Sequence, residues 1–487
     1  MGRHASGGGE KDFVLRIIRS PDSDDGVPPI QITTTQSSST SSKKPKSSSA
    51  TTAGFGAGQT TLSLDQEWIT EHATQASRIL PGGLDIIGIY VLCDDKAFQA
   101  GAGAISATLK SISIEIESDS PLLVAHVDSV TAKISARELS SNSPTLKPCD
   151  VKVSAVVPQM ATVNCQYQLQ LHVYFSSGKQ LVYDAVKEAI FWNARNKVGP
   201  AVAATAVASD GVTGGGAATT LKFADPSAQI ADILSSTSDS NASSPTVLEI
   251  ELLSPVGVFP GALTAMGAAP PTANGQGTYH LAGTCILAGT LHCRAYVHKR
   301  ETLGAAVSAI KADITRSLLA RFALLAEAAE LATSAVEAQF RGQVEEAAKK
   351  GVAPPKGPPR KHPLTARAGE LAKEYGPSLP RRAFFGWADS GGVGGSGGGS
   401  YCDYLVDGEG PGEAFQRIEE LMGAGVVEQG SFLCFEAVPA SSPDQNAGRT
   451  KNKSSGSSSL ECSAAMVGSV VAVVMAVVMY YTTIAQS

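Results

Sequence analysis

Residues Ser63–Leu92 read SLDQEWITEHATQASRILPGGLDIIGIYVL and contain the clearest structural pattern in the chain. Apolar residues recur at helical spacing in the first half, so a helix is predicted over Ser63–Leu80. Pro81-Gly82-Gly83 is typical of the end of a helix. The nearly continuous apolar run Leu84–Leu92 then predicts a strand that is buried on both faces. A helix followed by such a strand is typical of an α/β body.

The hydrophobic pattern continues to alternate on both sides of this segment. Before it, Asp12–Arg19 is predicted to be a short strand. After it, the predicted elements are a helix over Ala97–Ile112, a strand over Leu122–Ile134, a half-buried antiparallel strand over Cys165–Phe175, a strand pair around Gly289 within Thr284–His298, a helical region over Thr302–Lys349 with a break near Leu331–Ser334, and a strand, a helix and a strand over Tyr401–Val406, Gly412–Met422 and Val426–Val438. Together these elements predict an α/β fold with a mixed sheet.

Four stretches of low complexity separate these elements and are predicted to be disordered, because they are too poor in large apolar residues to form a core. The resulting organisation is a short N-terminal strand region (1–19), a Ser/Thr-rich linker (20–60), an α/β domain (61–199), a low-complexity insertion (200–245), strands with a long helical region (246–349), a Pro/Gly-rich linker (350–400), a β-α-β segment (401–439), a polar linker (440–462) and a hydrophobic C-terminal segment (463–487).

Composition excludes some classes of function. The chain has 487 residues and a formal net charge of −6, from 39 basic and 45 acidic residues. Nucleic-acid-binding proteins usually carry a basic excess, so no nucleic-acid partner is predicted. The 8 cysteines are scattered without a CxxC pair, which is typical neither of a disulfide framework nor of a zinc ribbon. We interpret them as reduced thiols of a body that faces the cytosol.

The C-terminal segment has the properties of a membrane anchor. No charged residue occurs after Ser463, and Ala464–Ala485 would form about 33 Å of helix, enough to cross a hydrocarbon core of about 30 Å. Basic residues precede the segment and none follows, so the positive-inside rule leaves the body in the cytosol. A single-pass tail anchor in the lipid bilayer is predicted; a buried helix at the end of a globular domain is the alternative. The anchor residues include Ala464, Val467, Val470, Val473, Val477, Tyr480 and Tyr481.

The search for catalytic patterns is largely negative. The sequence contains neither GxxxxGK[ST] nor HExxH. Glu67, Glu71 and His72 lie close together on the first predicted helix and could flank a ligand or a proton-transfer site. Because His72 shares the apolar stripe, a core histidine is the favoured interpretation. Cys93 or Cys402 could act as the nucleophile of a Cys–His hydrolase, but no local pattern supports either one.

One strand carries four polar or aromatic residues on a single face, which are His292, Arg294, Tyr296 and His298. The two histidines are about 20 Å apart along the strand, too far to ligate one ion. A solvated strand face is therefore predicted, with Cys293 and Ala295 pointing into the core. No catalytic residue, metal site or cofactor is predicted.

Several segments, taken in order, resemble one family. Residues Trp68–Gly83 form the string WxxEHxxQxxRxLPGG, which resembles the signature of the odorant response abnormal protein 4 family. Cys293–His298, Leu379–Arg382, Cys402–Tyr404 and the C-terminal anchor resemble its later landmarks. The signature residues are Trp68, Glu71, His72, Arg78, Pro81, Gly82, Gly83, Cys293, Arg294 and Tyr296.

This resemblance implies a tail-anchored protein of the endoplasmic reticulum membrane with a cytosolic body. It implies a role in folding, trafficking or localisation of membrane receptors, and the recruitment of a ubiquitin-fold-modifier-specific cysteine protease. Members of the family have roughly thirty more residues before the strand matched by Asp12–Arg19. A truncated gene model and a feature of the lineage are the two alternatives for this difference, and both remain open. The body is similar to the MPN/JAB fold, with residues 61–199 as the MPN-like domain.

Active MPN metalloproteases have a buried strand that ends in G-x-Y-H-x-H, and its histidines bind zinc. Gly88–Cys93 occupies the matching place, with Val91 and Cys93 where the histidines would be. Valine has no metal-binding atom, and one cysteine cannot hold a catalytic zinc that needs three ligands. The resemblance therefore implies a non-catalytic scaffold, a pseudoenzyme.

Two other functions remain open from the sequence. One is a divergent cysteine hydrolase that acts on a ubiquitin-like modifier. The other is a receptor-specific chaperone that contacts client helices through its anchor. In that anchor Ala464, Gly468, Ala472 and Ala476 recur at every fourth position, and a stripe of small residues lets another helix approach closely.

Overall fold

The computed structural model describes residues 1–3, 12–23, 25–35, 59–118, 120–139, 145–175, 181–196, 198, 201–207, 221–222, 225–235, 247–253, 257–259, 283–353, 362–367, 370, 374–388, 399–406, 408–433 and 436. In this part of the chain no helix combines the length and the low polarity that crossing a bilayer requires. The predicted anchor, 464–485, lies outside the described residues and stays a prediction.

The described residues form a mixed α/β structure. The helices are α1 (Gln66–Arg78), α2 (Asp95–Ala100), α3 (Ala102–Glu115), α4 (Val182–Asn196), α5 (Ile230–Ser235), α6 (Leu303–Lys350) and α7 (Pro411–Met422). The strands are β1 (Gly2–Arg3), β2 (Phe13–Val14), β3 (Ile30–Thr35), β4 (Gln59–Leu64), β5 (Gly88–Cys93), β6 (Leu122–Asp128), β7 (Ile134–Leu139), β8 (Leu146–Cys149), β9 (Met160–Phe175), β10 (Ala201–Val207), β11 (Leu221–Lys222), β12 (Val247–Leu252), β13 (Gly257–Phe259), β14 (Gly283–His298), β15 (Glu374–Tyr375), β16 (Arg381–Trp387), β17 (Ser400–Leu405) and β18 (Val427–Leu433).

Helix α1 lies where the sequence predicts a helix, but it begins later. The Asp65 carboxylate accepts a hydrogen bond from Trp68 N at 3.0 Å and caps the first turn. Ser63 belongs instead to β4, which pairs antiparallel with β3. The helix ends just before Pro81, and Gly83 has a φ of 73°. The backbone thus turns sharply between α1 and the residues that lead into β5.

A four-stranded sheet follows α1 in the order β5-β6-β7-β8. Strands β5 and β6 are parallel and the other pairs are antiparallel, so the sheet is mixed, as predicted. Val91 and Val124 are fully buried on the face next to α2 and α3. The prediction that the strand is buried on both faces is wrong, because Leu92 is 59% exposed on the other face. An apolar run does not reveal whether a second layer covers its outer face.

The largest sheet has the order β11-β10-β12-β9-β14-β15, and β13 also pairs with β9. Strands β9 and β14 pair along their full lengths, from Phe175 opposite Gly283 to Met160 opposite His298. The predicted strand pair around Gly289 is therefore one continuous strand. Gly289, with a φ of 156° and nothing near its Cβ position, is accommodated without a turn.

Helix α6 packs against this sheet and is unbroken over 48 residues. Thr302 caps its first turn, and Gly351 ends it in the left-handed conformation. In the sequence, Val307, Ile310, Ile314, Leu318 and Phe322 recur at helical spacing and predict an apolar stripe on this helix. Val307 is half-buried, and the other four are buried. The break predicted near Leu331–Ser334 is wrong, because Thr333 Oγ1 bonds to Ala329 O one turn back and stays within the helix.

Three stretches that were predicted to be disordered contain strands. Ile30–Thr35 and Gln59–Leu64 pair with each other, Ala201–Val207 pairs with β12, and Arg381–Trp387 is the middle strand of the sheet β17-β16-β18. Short β-forming runs in these stretches gain ladder hydrogen bonds from partners far away in sequence. Composition averaged over forty residues conceals such runs.

Smaller corrections concern element boundaries. The helix predicted over Ala97–Ile112 is divided at Gly101, and the strand predicted over Leu122–Ile134 is two strands joined by a turn. Only Phe13–Val14 of the strand predicted over Asp12–Arg19 is paired. Turns without proline or glycine clusters leave little trace in a hydrophobic pattern.

Two hydrophobic cores result. The first lies between the largest sheet and α4, α5 and α6. The second joins the four-stranded sheet, α1, α3, α7 and the three-stranded sheet, and Tyr296 of β14 reaches into it. Residues Met1–Val438 form one compact unit that contains both cores. Three of the signature residues, Gly82, Arg294 and Tyr296, lie at the seam between the cores.

Gly88 is expected to be essential for the close approach of β5 and β6. It has a φ of 151°, and a Cβ there would lie 1.8 Å from Leu123 O. Gly88→Ala should therefore destabilise the protein by about 2 kcal/mol or more, measured as the free energy of unfolding in urea. Gly103→Ala is the matched control, because α3 leaves open space there. Equal effects of the two substitutions would contradict this account.

Candidate functional site

The Pro81-Gly82-Gly83 turn is inserted between β14 and α6. Gly82 N donates to Asp313 Oδ1 at 2.8 Å, and Gly82 O accepts from Tyr296 N at 2.9 Å. A Cβ on Gly82 would lie 2.4 Å from Ala309 O. Only glycine fits this contact, because the backbone of the turn touches the backbone of the helix.

Asp313 of α6 forms a fully buried ion pair with Arg382 of β16. Arg382 Nη1 lies 2.6 Å from Asp313 Oδ2, and Nη2 lies 2.9 Å from Oδ1, which is bidentate geometry. Asp313 Oδ2 also accepts from Arg294 N at 3.0 Å. Although burial opposes the charge, the Asp313 carboxylate raises the pKa of Arg382 above its ordinary value. One carboxylate thus holds the turn, β14 and β16 together.

A second buried pair lies beside the first. Arg321 lies about two turns after Asp313 in α6. Its guanidinium makes two hydrogen bonds of 2.6 Å to the carboxylate of Glu436. Arg321 Nη1 also donates to Pro380 O at 2.7 Å. Glu436 in turn accepts from Arg382 N at 2.7 Å and from His292 N at 3.0 Å. We call Asp313, Arg321, Arg382 and Glu436 the buried ion-pair cluster.

Strand β17 completes the surroundings of the cluster. The Cys402 thiol donates to Ile79 O at 3.3 Å, and its Sγ lies 3.0 Å from Arg382 Nη2. The Arg382 guanidinium lies 4.9 Å from the ring centroid of Phe384 and 5.8 Å from that of Tyr404. These contacts supply the cation–π and hydrogen-bonding environment that a buried guanidinium requires.

The prediction that the polar face of β14 is exposed to solvent is wrong. Tyr296 is 4% exposed, and its hydroxyl lies 2.9 Å from Ser400 Oγ. His298 is buried and stacks on Phe13, and the Arg294 guanidinium lies over Phe384. The three-stranded sheet and the N-terminal segment cover this face, and no pattern within β14 reveals them. Cys293 and Ala295 are in the core, as predicted.

His72 is a satisfied structural histidine, as the sequence favours. Its Nε2 donates to Leu421 O at 2.9 Å, which leaves Nδ1 to accept from the Ser20 hydroxyl at 3.1 Å. Burial lowers the pKa of His72, in agreement with a neutral ring. Glu71 is exposed and accepts from Gln75 Nε2 at 2.8 Å, so it does not join His72 in a proton-transfer site.

The remaining signature residues have separate positions. The Trp68 indole donates to Pro21 O at 2.9 Å and so fastens the N-terminal segment to α1. Arg78 is exposed in the last turn of α1.

The sequence alone did not identify Asp313, Arg321 and Glu436 of the buried ion-pair cluster. The two helix residues carried a usable signal, because each is a charged residue beside the apolar stripe of α6.

Four of the described cysteines lie in surroundings that disfavour the thiolate. Burial raises the pKa of Cys93 to about 11 and that of Cys165 and Cys285 to about 12. Burial also raises the pKa of Cys402, more than the nearby Arg382 lowers it. A thiol must ionise to act as a nucleophile, so these environments oppose the hydrolase alternative.

No group of three or more His, Cys, Asp or Glu side chains with metal-site geometry occurs among the residues described. Val91 and Cys93, the two residues that the resemblance aligns with the zinc-binding histidines of MPN proteases, are 0% and 1% exposed. His126, on the neighbouring strand, bonds through Nε2 to Cys93 O at 3.0 Å and stacks on Phe98. This region is therefore packed as core.

An apolar cleft of about 600 Å³ opens beside α1. It lies over the less covered face of β5 and β6 and is bordered by the N-terminal segment, β3 and the end of α7. Its wall is mostly aliphatic and includes Ile17, Ile30, Ile32, Ile69, Ile89, Leu92, Leu123 and Met422. A concave, mostly apolar surface of this size is suited to bind another molecule.

Replacing one partner of the Asp313–Arg382 ion pair is expected to destabilise the fold severely. Asp313→Asn or Arg382→Met should each cost about 3–5 kcal/mol in the free energy of unfolding, because each leaves a buried group without its partner. The double variant should lose less than the sum of the two. Lys350→Ala, which removes an exposed pair with Glu346, should have no measurable effect. Additive losses at Asp313 and Arg382 would refute the coupling.

Thiol reactivity tests the hydrolase alternative. In the native protein at pH 7.5, iodoacetamide should modify Cys93, Cys165, Cys285 and Cys402 about tenfold or more slowly than the half-buried Cys149. Peptide-level mass spectrometry measures each rate, and unfolding in urea should abolish the difference. Rapid native labelling of Cys93 or Cys402 would restore the hydrolase hypothesis.

Comparison with known proteins identifies the family. The model described as ODR4-like, odorant response abnormal 4-like, matches residues 1–431. The chain is similar to Protein odr-4 homolog of Mus musculus (33% identity over 130 residues), of Homo sapiens (27% over 128) and of Xenopus tropicalis (25% over 139). These alignments cover 24%, 24% and 26% of this chain and 29%, 28% and 31% of the relatives, so the matched region spans less than a third of their length. Because the family model matches most of the sequence, the chain belongs to the odorant response abnormal 4-like family.

Proposed function

We propose that this protein is a non-catalytic adaptor, tail-anchored in the endoplasmic reticulum membrane, that supports folding, trafficking or localisation of membrane receptors. Membership of the odorant response abnormal 4-like family supports the role in receptor trafficking. The observation that carries the adaptor role is that residues of the segments resembling the family hold the layers of the fold together. Gly82, Arg294, Tyr296 and Arg382 hold three layers of the fold together instead of lining an accessible site.

The absence of catalysis is part of the proposal. Val91 and Cys93 are packed in the core where an MPN metalloprotease needs zinc ligands, and the raised thiol pKa values disfavour a cysteine nucleophile. The mixed β5–β8 sheet, with α1, α2 and α3 around it, is compatible with an MPN-like domain in this part of the chain. A pseudoenzyme with this fold would act through its surfaces.

We further propose two associations for the body and the C-terminus. The resemblance of the signature segments supports recruitment of a ubiquitin-fold-modifier-specific cysteine protease. The uncharged segment 464–485 supports attachment to the membrane and a cytosolic orientation of the body. Receptor clients would then meet the protease at the same membrane, since one chain binds both.

Affinity purification of the full-length protein from its own cells in mild detergent tests the adaptor role. A modifier protease in near-equal amount, identified by mass spectrometry together with receptor chains, is the expected result. The matched control is a fusion that carries residues 463–487 on an unrelated soluble domain. It should retain membrane association but recover neither partner.

Two results would contradict parts of the proposal. Recovery of receptors without the protease would remove the recruitment role and favour a receptor-specific chaperone. Recovery of the same receptors by the control fusion would place client recognition in the anchor, not in the body. Absence of both partners from the full-length sample would refute the adaptor function.

A further inference from the structure

Strand β5 is the outer strand of its sheet, and among the described residues no strand lies along its second edge. On the inner edge, Leu123 N donates to Ile87 O at 2.8 Å. Because backbone groups alternate in direction along a strand, the N–H and C=O groups of Gly88, Tyr90 and Leu92 point to the outer edge. Such an edge can accept an additional strand.

The same three residues border the apolar cleft. In the β5–β6 register, Gly88 lies opposite Leu123 and Tyr90 opposite Ala125, so these residues share one face, and all of them line the cleft. Leu92 also lines it and is 59% exposed. A strand added to the outer edge of β5 would therefore direct every second side chain toward the cleft.

Among the described residues, the wall of the cleft carries basic side chains and no acidic ones. Arg16 and Arg19 line it, and no Asp or Glu does so among the described residues, although the chain as a whole carries −6. The Arg16 guanidinium is held 5.7 Å from the ring centroid of Trp387. The Arg19 side chain is 74% exposed and lies 3.0 Å from Asp22. A carboxylate on the bound molecule would complement this wall.

We propose that the outer edge of β5 and the apolar cleft together bind an extended segment of a partner protein. The segment has aliphatic residues at alternate positions and an Asp or Glu where it passes Arg16 and Arg19. An acyl chain could fill the same cleft, but it has no backbone groups to pair with Gly88, Tyr90 and Leu92. This inference rests on the adaptor function proposed above and assigns its partner-binding surface.

Peptide selection on the full-length protein tests this proposal. Nine-residue peptides displayed on phage should converge on alternating Val, Ile or Leu with one acidic residue. The leading peptide, labelled with fluorescein, is then measured by anisotropy. Leu92→Lys should raise its Kd at least about tenfold. Ile114→Lys should leave the Kd unchanged, because Ile114 is an equally apolar residue on α3 that is 74% exposed.

Strand addition makes a prediction that simple apolar contact does not. N-methylation of the peptide at alternate positions should abolish binding in one of the two registers and leave it intact in the other. Leu92→Pro removes an outward N–H without touching the β5–β6 bonds, so it should weaken binding more than Leu92→Ala. If Leu92→Pro fails to fold by circular dichroism, the N-methyl series decides the question. Arg19→Glu should reverse the preference from acidic to basic peptides.

Several results would overturn the proposal. These are no sequence consensus, equal Kd values for Leu92→Lys and Ile114→Lys, or tolerance of N-methylation in both registers. Binding of a fluorescent fatty acid that oleate displaces and the peptide does not would make the cleft an acyl site. A change in sedimentation coefficient for Leu92→Lys would make it an interface between two copies of this chain.

The result of the peptide-binding experiments can be distinguished from the result of the affinity purification that tests the adaptor function. Peptide binding measured on the purified protein does not depend on which partner is recovered from cells. Recovery of the protease that persists with Leu92→Lys would refute the cleft as its docking surface and leave the adaptor function intact. Cleft-dependent peptide binding without any protease or receptor in the purification would refute the adaptor function alone.

Discussion

The structure depends first on the ion pair between Asp313 and Arg382. Neither side chain is exposed, and the two oxygens of Asp313 also receive the backbone N–H groups of Gly82 and Arg294. A buried carboxylate that lacked these donors would be several kcal/mol less stable. The helix α6, the turn after α1 and the strands β14 and β16 must therefore be in place together. Such a constraint favours one arrangement of the layers over alternatives with similar hydrophobic burial.

This constraint explains why residues far apart in sequence behave as one unit. The first core contains most of the buried residues of α6 and β14, whereas the second contains those of α1, β16 and β17. The buried ion-pair cluster lies where these elements meet, and Arg321 with Glu436 extends it. Segments that resemble separate family landmarks thus contribute to a single contact between two cores. Their role is to position the layers of the fold.

Recognition is then left to parts of the surface that the cluster does not use. The cleft over β5 and β6 is apolar, open and bordered by two arginines, and the strand beside it has an unpaired edge among the described residues. On the inner face of the same strand, Val91 and Cys93 are core residues. One strand therefore combines close packing on its inner face with an open outer face that suits binding.

The sequence by itself determined the elements whose patterns are local. Hydrophobic spacing predicted α1 and the apolar stripe of α6, and alternation predicted β9. The position of His72 on an apolar stripe predicted a histidine with satisfied hydrogen bonds, although its side chain is half-buried and lines the cleft. The same information also identified the family. The predictions of a solvated face on β14, of a break in α6 and of disorder at residues 201–207 are wrong, because each outcome depends on partners far away in the chain. Only the tertiary structure decided that Tyr296 and His298 are covered, that Asp313 meets Arg382, and that Leu92 stays exposed. Burial and ion pairing are properties of assembled layers, whereas helical and strand periodicity are properties of a single segment.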